Sequence, residues 1–129
     1  MCSPTVTYKM GGFTVTKSLW FQSQRVVLTP AATALLETHG FDPVELVQRH
    51  QAGDWGDVNS KDEVINNRGL TKGSMLVSTF RLVDSKQLAK TPVEVRNQLP
   101  TILVITDAAM TAGKPLQRHI TTVLTREDY

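Results

Sequence analysis

The spacing of hydrophobic and polar residues changes along the chain, and each change marks a different kind of element. Near the N-terminus the period is two. Val6, Tyr8 and Met10 alternate with polar neighbours, and Phe13 and Val15 resume the alternation after Gly11-Gly12. This predicts two strands joined by a tight glycine turn, with Met10 facing Phe13 and Tyr8 facing Val15. The competing reading of residues 1–24 is an N-terminal arm kinked at the glycines. Leu19–Leu28 reads as a further extended stretch.

Helical spacing then takes over, with its own stop and start signals. Thr29-Pro30 supplies an N-cap and a first-turn proline for a helix through Thr38, and Gly40 suits its C-terminal end. Asp42 caps the next helix, Pro43 begins it and Glu45 completes a capping box. Phe41 and Leu46 occupy the positions of a hydrophobic staple, and Gly53 ends the helix. Ser60-Lys61-Asp62-Glu63 opens a third, short helix expected to stop near Gly69.

The period returns to two in the C-terminal half. Met75–Leu82 reads as a strand, Ile102–Ile105 as a central strand covered on both faces, and His119–Thr125 as a third. Val83–Pro100 is a polar excursion containing a short helix started by Thr91-Pro92-Val93-Glu94, and Ala112-Gly113-Lys114-Pro115 is a turn. The expected fold is α+β. It has N-terminal strands, two to three short helices, then a mainly antiparallel sheet with the helices on one face. Residues 1–129 form a single domain, with 83–100 as an excursion between strands.

Composition narrows the function classes. A chain of 129 residues, 40% hydrophobic and 20% charged, has enough material for one buried core. Fourteen Lys and Arg against twelve Asp and Glu leave a net charge of +2, dispersed rather than gathered into a basic tail. The only cysteine, Cys2, precludes an intrachain disulfide. With no apolar leader or spanning stretch, the expectation is a cytoplasmic protein that does not enter a membrane.

The most distinctive run is Arg49-His50-Gln51-Ala52-Gly53-Asp54-Trp55-Gly56-Asp57. His50 shares a helix face with Leu46 and Val47 and so points toward the core. It is either an acid–base group tuned by burial or a histidine satisfied by local hydrogen bonds. Trp55 between two glycines either stacks on a ligand or fills a gap in the core. Arg49, Asp54 and Asp57 are its polar companions in a binding reading, while in a structural reading the aspartates cap turns. Arg118 and His119 open the last strand and are candidates for phosphate stabilisation, with Thr121 a further binding candidate. His39 is a helix-end residue. The spacing of His39, His50, His119 and Cys2 matches no zinc site, so no metal or cofactor is expected. Nucleotide-binding glycine motifs and a serine-nucleophile elbow are also absent.

Taken in order, these motifs resemble a family of small proteins encoded on plasmids and conjugative elements. The likeness is carried by Arg25-Val26-Val27, Thr29-Pro30, Arg49-His50 and Gly53-Asp54-Trp55-Gly56-Asp57. It continues through Asp62, Asn66, Leu70, Gly73, Ser78, Ile105-Thr106-Asp107, Thr121-Thr122-Val123-Leu124 and Glu127-Asp128-Tyr129, covering residues 25–129. The resemblance implies genomic context rather than a mechanism. The chain departs from the family at Val83–Pro100, where the family has a short hairpin turn. It departs again at Thr106-Asp107-Ala108-Ala109-Met110, where the family reads Thr-Glu-Ala-Asp-Arg-Ser. Arg118 is at best a displaced substitute for the family's arginine.

The expectation is therefore an accessory protein of mobile DNA (plasmid, conjugative element or gene cassette). It would be non-catalytic and act by binding a protein or nucleic acid, with a homodimer compatible. Helices followed by an antiparallel sheet also resemble the layout of microbial ribonucleases. The alternative is thus a small metal-independent ribonuclease-like toxin or nuclease, with His50 as acid or base and Arg118 or His119 on the phosphate.

Overall fold

The computed structural model describes residues 5–10, 13–109 and 118–129, with backbone alone for 5–10, 13–15, 17 and 18. The turns expected at Gly11-Gly12 and Ala112–Pro115, and Cys2, lie outside the described residues.

Strands β1 (Thr5–Met10) and β2 (Phe13–Ser18) pair antiparallel as a two-stranded sheet, with Met10 opposite Phe13 and Tyr8 opposite Val15. The extended stretch after them divides in two. Only Ser23–Leu28 is a strand, β3, while residues 19–22 turn Trp20 and Phe21 onto the end of the second helix. Three helices follow: α1 (Pro30–His39), α2 (Pro43–Gln51) and α3 (Ser60–Lys72). Next come β4 (Leu76–Arg81), α4 (Ser85–Lys90), a 3-10 turn (Val93–Gln98), β5 (Thr101–Thr106) and β6 (Arg118–Thr125).

The caps of the first two helices follow from their residues. Thr29 Oγ1 accepts from the Ala32 N–H, and Asp42 Oδ1 accepts from the Val44 N–H. Gly40 takes the left-handed conformation that ends α1. The third helix differs from expectation at both ends. Asn59, not Ser60, caps it by accepting from the Asp62 N–H. It also runs through Gly69 to a left-handed Gly73. Gly69 is an interior helix residue because a side chain there would press on Leu76, 3.0 Å from an added Cβ. Its absent side chain is a packing feature, not a stop.

The fold is α+β, and its four-stranded sheet has the order β3-β6-β5-β4. The β4–β5 and β5–β6 pairs are antiparallel, but β3 pairs parallel with β6, so the sheet is mixed rather than purely antiparallel. A parallel neighbour needs a long crossover, which the helices and β4–β5 supply. Alternation places Phe80, Ile102, Val104 and Val123 on one face. There they form the core with Ala32 and Leu36 of α1 and Leu46 and Val47 of α2. Helix α3 lies against β4, the strand at the sheet's edge. The excursion contains more regular structure than expected, with Asp84 capping α4 ahead of the 3-10 turn.

Candidate functional site

The i, i+3 and i+4 spacing that places His50 beside Val47 and Leu46 carries its ring through the core to the sheet, where it is fully buried. It does not stand alone there. Nδ1 lies 2.5 Å from Ser78 Oγ on β4, and Nε2 lies 2.9 Å from Thr106 Oγ1 on β5. Thr106 is 2.7 Å from Thr121 Oγ1 on β6. Thr121 in turn is 2.7 Å from Ser23 Oγ on β3, and Ser23 can donate to the Arg25 carbonyl at 3.3 Å. A single row of hydroxyls thus joins all four strands through one imidazole.

Counting protons assigns the direction of this row. Suppose Ser78 donates to Nδ1 and Nε2–H donates to Thr106. Then Thr106 donates to Thr121, Thr121 to Ser23 and Ser23 to the Arg25 carbonyl, so every proton has an acceptor. The other tautomer reverses the row and takes the Ser23 proton from Arg25. It leaves the Ser78 proton without an identified acceptor. An unpaired polar group in the interior costs about 1–3 kcal/mol, so the Nε2–H form is preferred. Burial, aided by the positive charge of Arg118, lowers the His50 pKa from 6.5 to about 3. The ring is therefore neutral near pH 7. Phe21 and Trp55 close around it edge-on, with ring centroids 5.1 and 5.5 Å away.

The glycine–tryptophan loop after α2 finishes the sheet. Thr79 N–H donates to the Trp55 carbonyl and Asp57 N–H donates to the Thr79 carbonyl, so residues 55–57 run as a parallel stub along β4. Asn66 of α3 satisfies the neighbouring outward groups, accepting from Val77 N–H and donating to its carbonyl. The edge of β4, which would otherwise invite another strand, is thereby covered. Gly56 is required for this. Its φ is +75°, and a Cβ would stand 2.1 Å from the Thr79 carbonyl oxygen. Trp55 is buried, with its indole N–H donating to Asn67 Oδ1.

The polar companions of Trp55 are also engaged. Arg49 Nε donates to Asp54 Oδ2 at 2.8 Å while its guanidinium lies over the Phe80 ring, and Asp54 Oδ1 accepts from Gly56 N–H. Asp57 is held between Arg81 of β4 and Arg96 of the excursion, and the second contact ties the excursion to the loop. Burial alone would raise the Asp57 pKa, but the hydrogen bonds and charges of the two arginines hold it below the usual carboxylate range.

None of the other sequence candidates hydrogen-bonds His50 directly. Arg118 is buried, and its guanidinium donates to the carbonyls of Ser74, Asp107 and Gly69, pinning the last turn of α3 to the sheet. Burial lowers its pKa. His119 is exposed and faces Gln24 of β3. Thr121 is wholly buried in the hydroxyl row, while His39 lies exposed at the end of α1. His50 and Arg118 are thus both buried and both packed against the Phe21 ring, each engaged by groups of the fold, whereas His119 is exposed. Among the described residues, no three or more His, Cys, Asp or Glu gather as a metal site.

No comparison identifies a relative. The chain matches no family model, and neither a curated protein nor a solved structure is significantly similar to it.

An open groove of about 880 Å³ lies between α2, the loop and the start of the excursion. Its lining includes Asp42, Glu45, Asp54, Asp57 and Asp84 against Arg49 and Arg81, over a floor containing Leu46 and Phe80. Both arginines are engaged by aspartates, so the groove presents negative charge. Sequence reasoning placed Arg49, Asp54 and Asp57 together but missed Ser78 and Thr106 as the partners of His50 and Ser23 as the far end of the row. Only strand alternation, which puts Ser78 on the apolar face of β4, hinted at one of them. Trp20 and Phe21 were also missed, because the extended stretch was read as unbroken.

Proposed function

We propose that the chain is a non-catalytic accessory protein of mobile DNA that acts by binding a macromolecular partner. The observation that carries the non-catalytic part is the engagement of His50. A general acid or base must reach a substrate proton, whereas both nitrogens of this ring hold strand hydroxyls in a closed interior. Arg118 directs three hydrogen bonds at backbone carbonyls. The mobile-DNA context rests on the family resemblance over residues 25–129. No helix among the described residues is long and apolar enough to cross a membrane.

Incubating the protein with labelled single-stranded RNA and with duplex DNA tests the reading. The expected result is no cleavage above background for the parent chain. Turnover that drops about 10²-fold or more in a folded His50→Gln variant would instead establish the nuclease alternative.

A further inference from the structure

The exposed face of α3 carries cations beside uncovered apolar side chains. At about 100° per residue, Thr71, Val64, Arg68, Lys61, Lys72 and Ile65 fall in that order across one arc of about 120°, which ends beside the buried Gly69, and all six are exposed. Val64 and Ile65 are 47% and 50% exposed. Folding accounts for neither, since β-branched residues are mediocre helix formers and these two bury little against the rest of the chain. Lys61, Arg68 and Lys72 make no ion pair with any described residue. The helix's carboxylates, Asp62 and Glu63, fall to its flanks rather than between the cations.

From this face we infer that α3 docks duplex DNA, an inference that rests on the binding-protein reading above. Lys61, Arg68 and Lys72, in the middle of the arc, would enter the major groove and reach backbone phosphates with their long side chains, while Val64 and Ile65 flank them in the groove. A helix about 10–12 Å across fits a major groove about 12 Å wide. The 13 residues of α3 make it about 20 Å long. Apolar side chains at the groove floor can meet thymine methyl groups. Two features disfavour other polyanionic partners. A helix that lies in a lipid surface carries a broad apolar face with Leu, Phe or Trp, and the exposed arc of α3 has only Val64 and Ile65 as apolar residues. The acidic groove would repel DNA, whereas the arc on α3 presents cations to it.

Fluorescence polarisation with a labelled duplex of about 20 base pairs tests this in the full chain. Three phosphate contacts give a log–log salt slope of about −2.7, so affinity falls about 40-fold between 50 and 200 mM salt. Each of Lys61→Ala, Arg68→Ala and Lys72→Ala is expected to reduce the slope by about one, and the triple variant to lose binding. The charge-retaining Lys61→Arg/Lys72→Arg variant and the remote Lys86→Ala/Lys90→Ala variant on α4 are expected to bind like the parent. No duplex binding by the parent at 50 mM salt would overturn the inference. So would a folded triple variant that binds normally, or binding to phosphatidylserine vesicles in place of DNA. None of these outcomes touches the non-catalytic reading, which fails only if the parent chain cleaves nucleic acid in the assay above.

Discussion

Two polar regions of this protein have opposite characters. In the interior, the row from Ser78 through His50, Thr106 and Thr121 to Ser23 gives each proton an acceptor and ends at a backbone carbonyl. On α3, three cations have no ionic partner among the described residues, and Val64 and Ile65 are about half exposed. Residue types often used in catalysis are therefore in the region completed by folding, and ordinary surface residues are in the region left open. A polar group without a partner in the folded chain is free to find one elsewhere. The contrast lies in hydrogen-bond completeness, and residue identity alone does not reveal it.

The largest expected effect is at the loop that closes the interior. Gly56→Val adds a branched side chain at a φ of +75°, where even a Cβ would be 2.1 Å from the Thr79 carbonyl oxygen. The loop must leave the edge of β4, losing its two backbone hydrogen bonds and displacing Trp55. A cost of about 4 kcal/mol or more is expected, read from the urea midpoint. A loss below about 1 kcal/mol would mean that the loop is not required to finish the sheet.

Acid comes next and tests the histidine row directly. The unfolded chain protonates His50 near pH 6.5, whereas the folded chain does so only near pH 3. Because the folded pKa is depressed, the unfolded state holds more protons between these values. Stability is full above pH 6.5 and falls as the pH drops toward about 3. The slope approaches about 1.4 kcal/mol per pH unit, and the total is on the order of 5 kcal/mol. Asp57 also loses stabilisation on acidification, since its folded pKa is lowered. Comparing the parent with His50→Gln separates the two contributions. The variant should show a flatter profile between pH 6.5 and 5, above the range in which carboxylates titrate. Equal slopes there would show that the imidazole is not held neutral by burial.

How much of this was legible in the sequence depends on how local each cause is. Caps such as Asp42 and Thr29 are short-range devices, so α1 and α2 were predicted closely, as was the Met10–Phe13 register. The inward direction of His50 followed from helix spacing. Its partners did not, because Ser23, Ser78, Thr106 and Thr121 meet only after four strands assemble. The parallel placement of β3 is equally non-local, since antiparallel hairpin reasoning reaches only neighbouring strands. Gly69 misled because a glycine that ends a helix and one that makes room for Leu76 look alike in one dimension. In the motif around Trp55, the glycines were legible as turn formers, but the strand edge they complete was not.

The smallest expected effect is on the stability of the open region, and it sharpens the contrast most. Lys61, Arg68 and Lys72 support nothing in the fold, so replacing all three with alanine should change unfolding free energy by no more than about 0.5 kcal/mol. Alanine's higher helix propensity would place any small change on the stabilising side. Chemical denaturation of the triple variant beside the parent measures this, and a loss above about 1 kcal/mol would mean that the face is part of the fold after all. A near-zero change combined with loss of DNA binding would separate the two regions cleanly. The interior row could then be assigned to holding the strands together, and the α3 cations to contacts outside the chain.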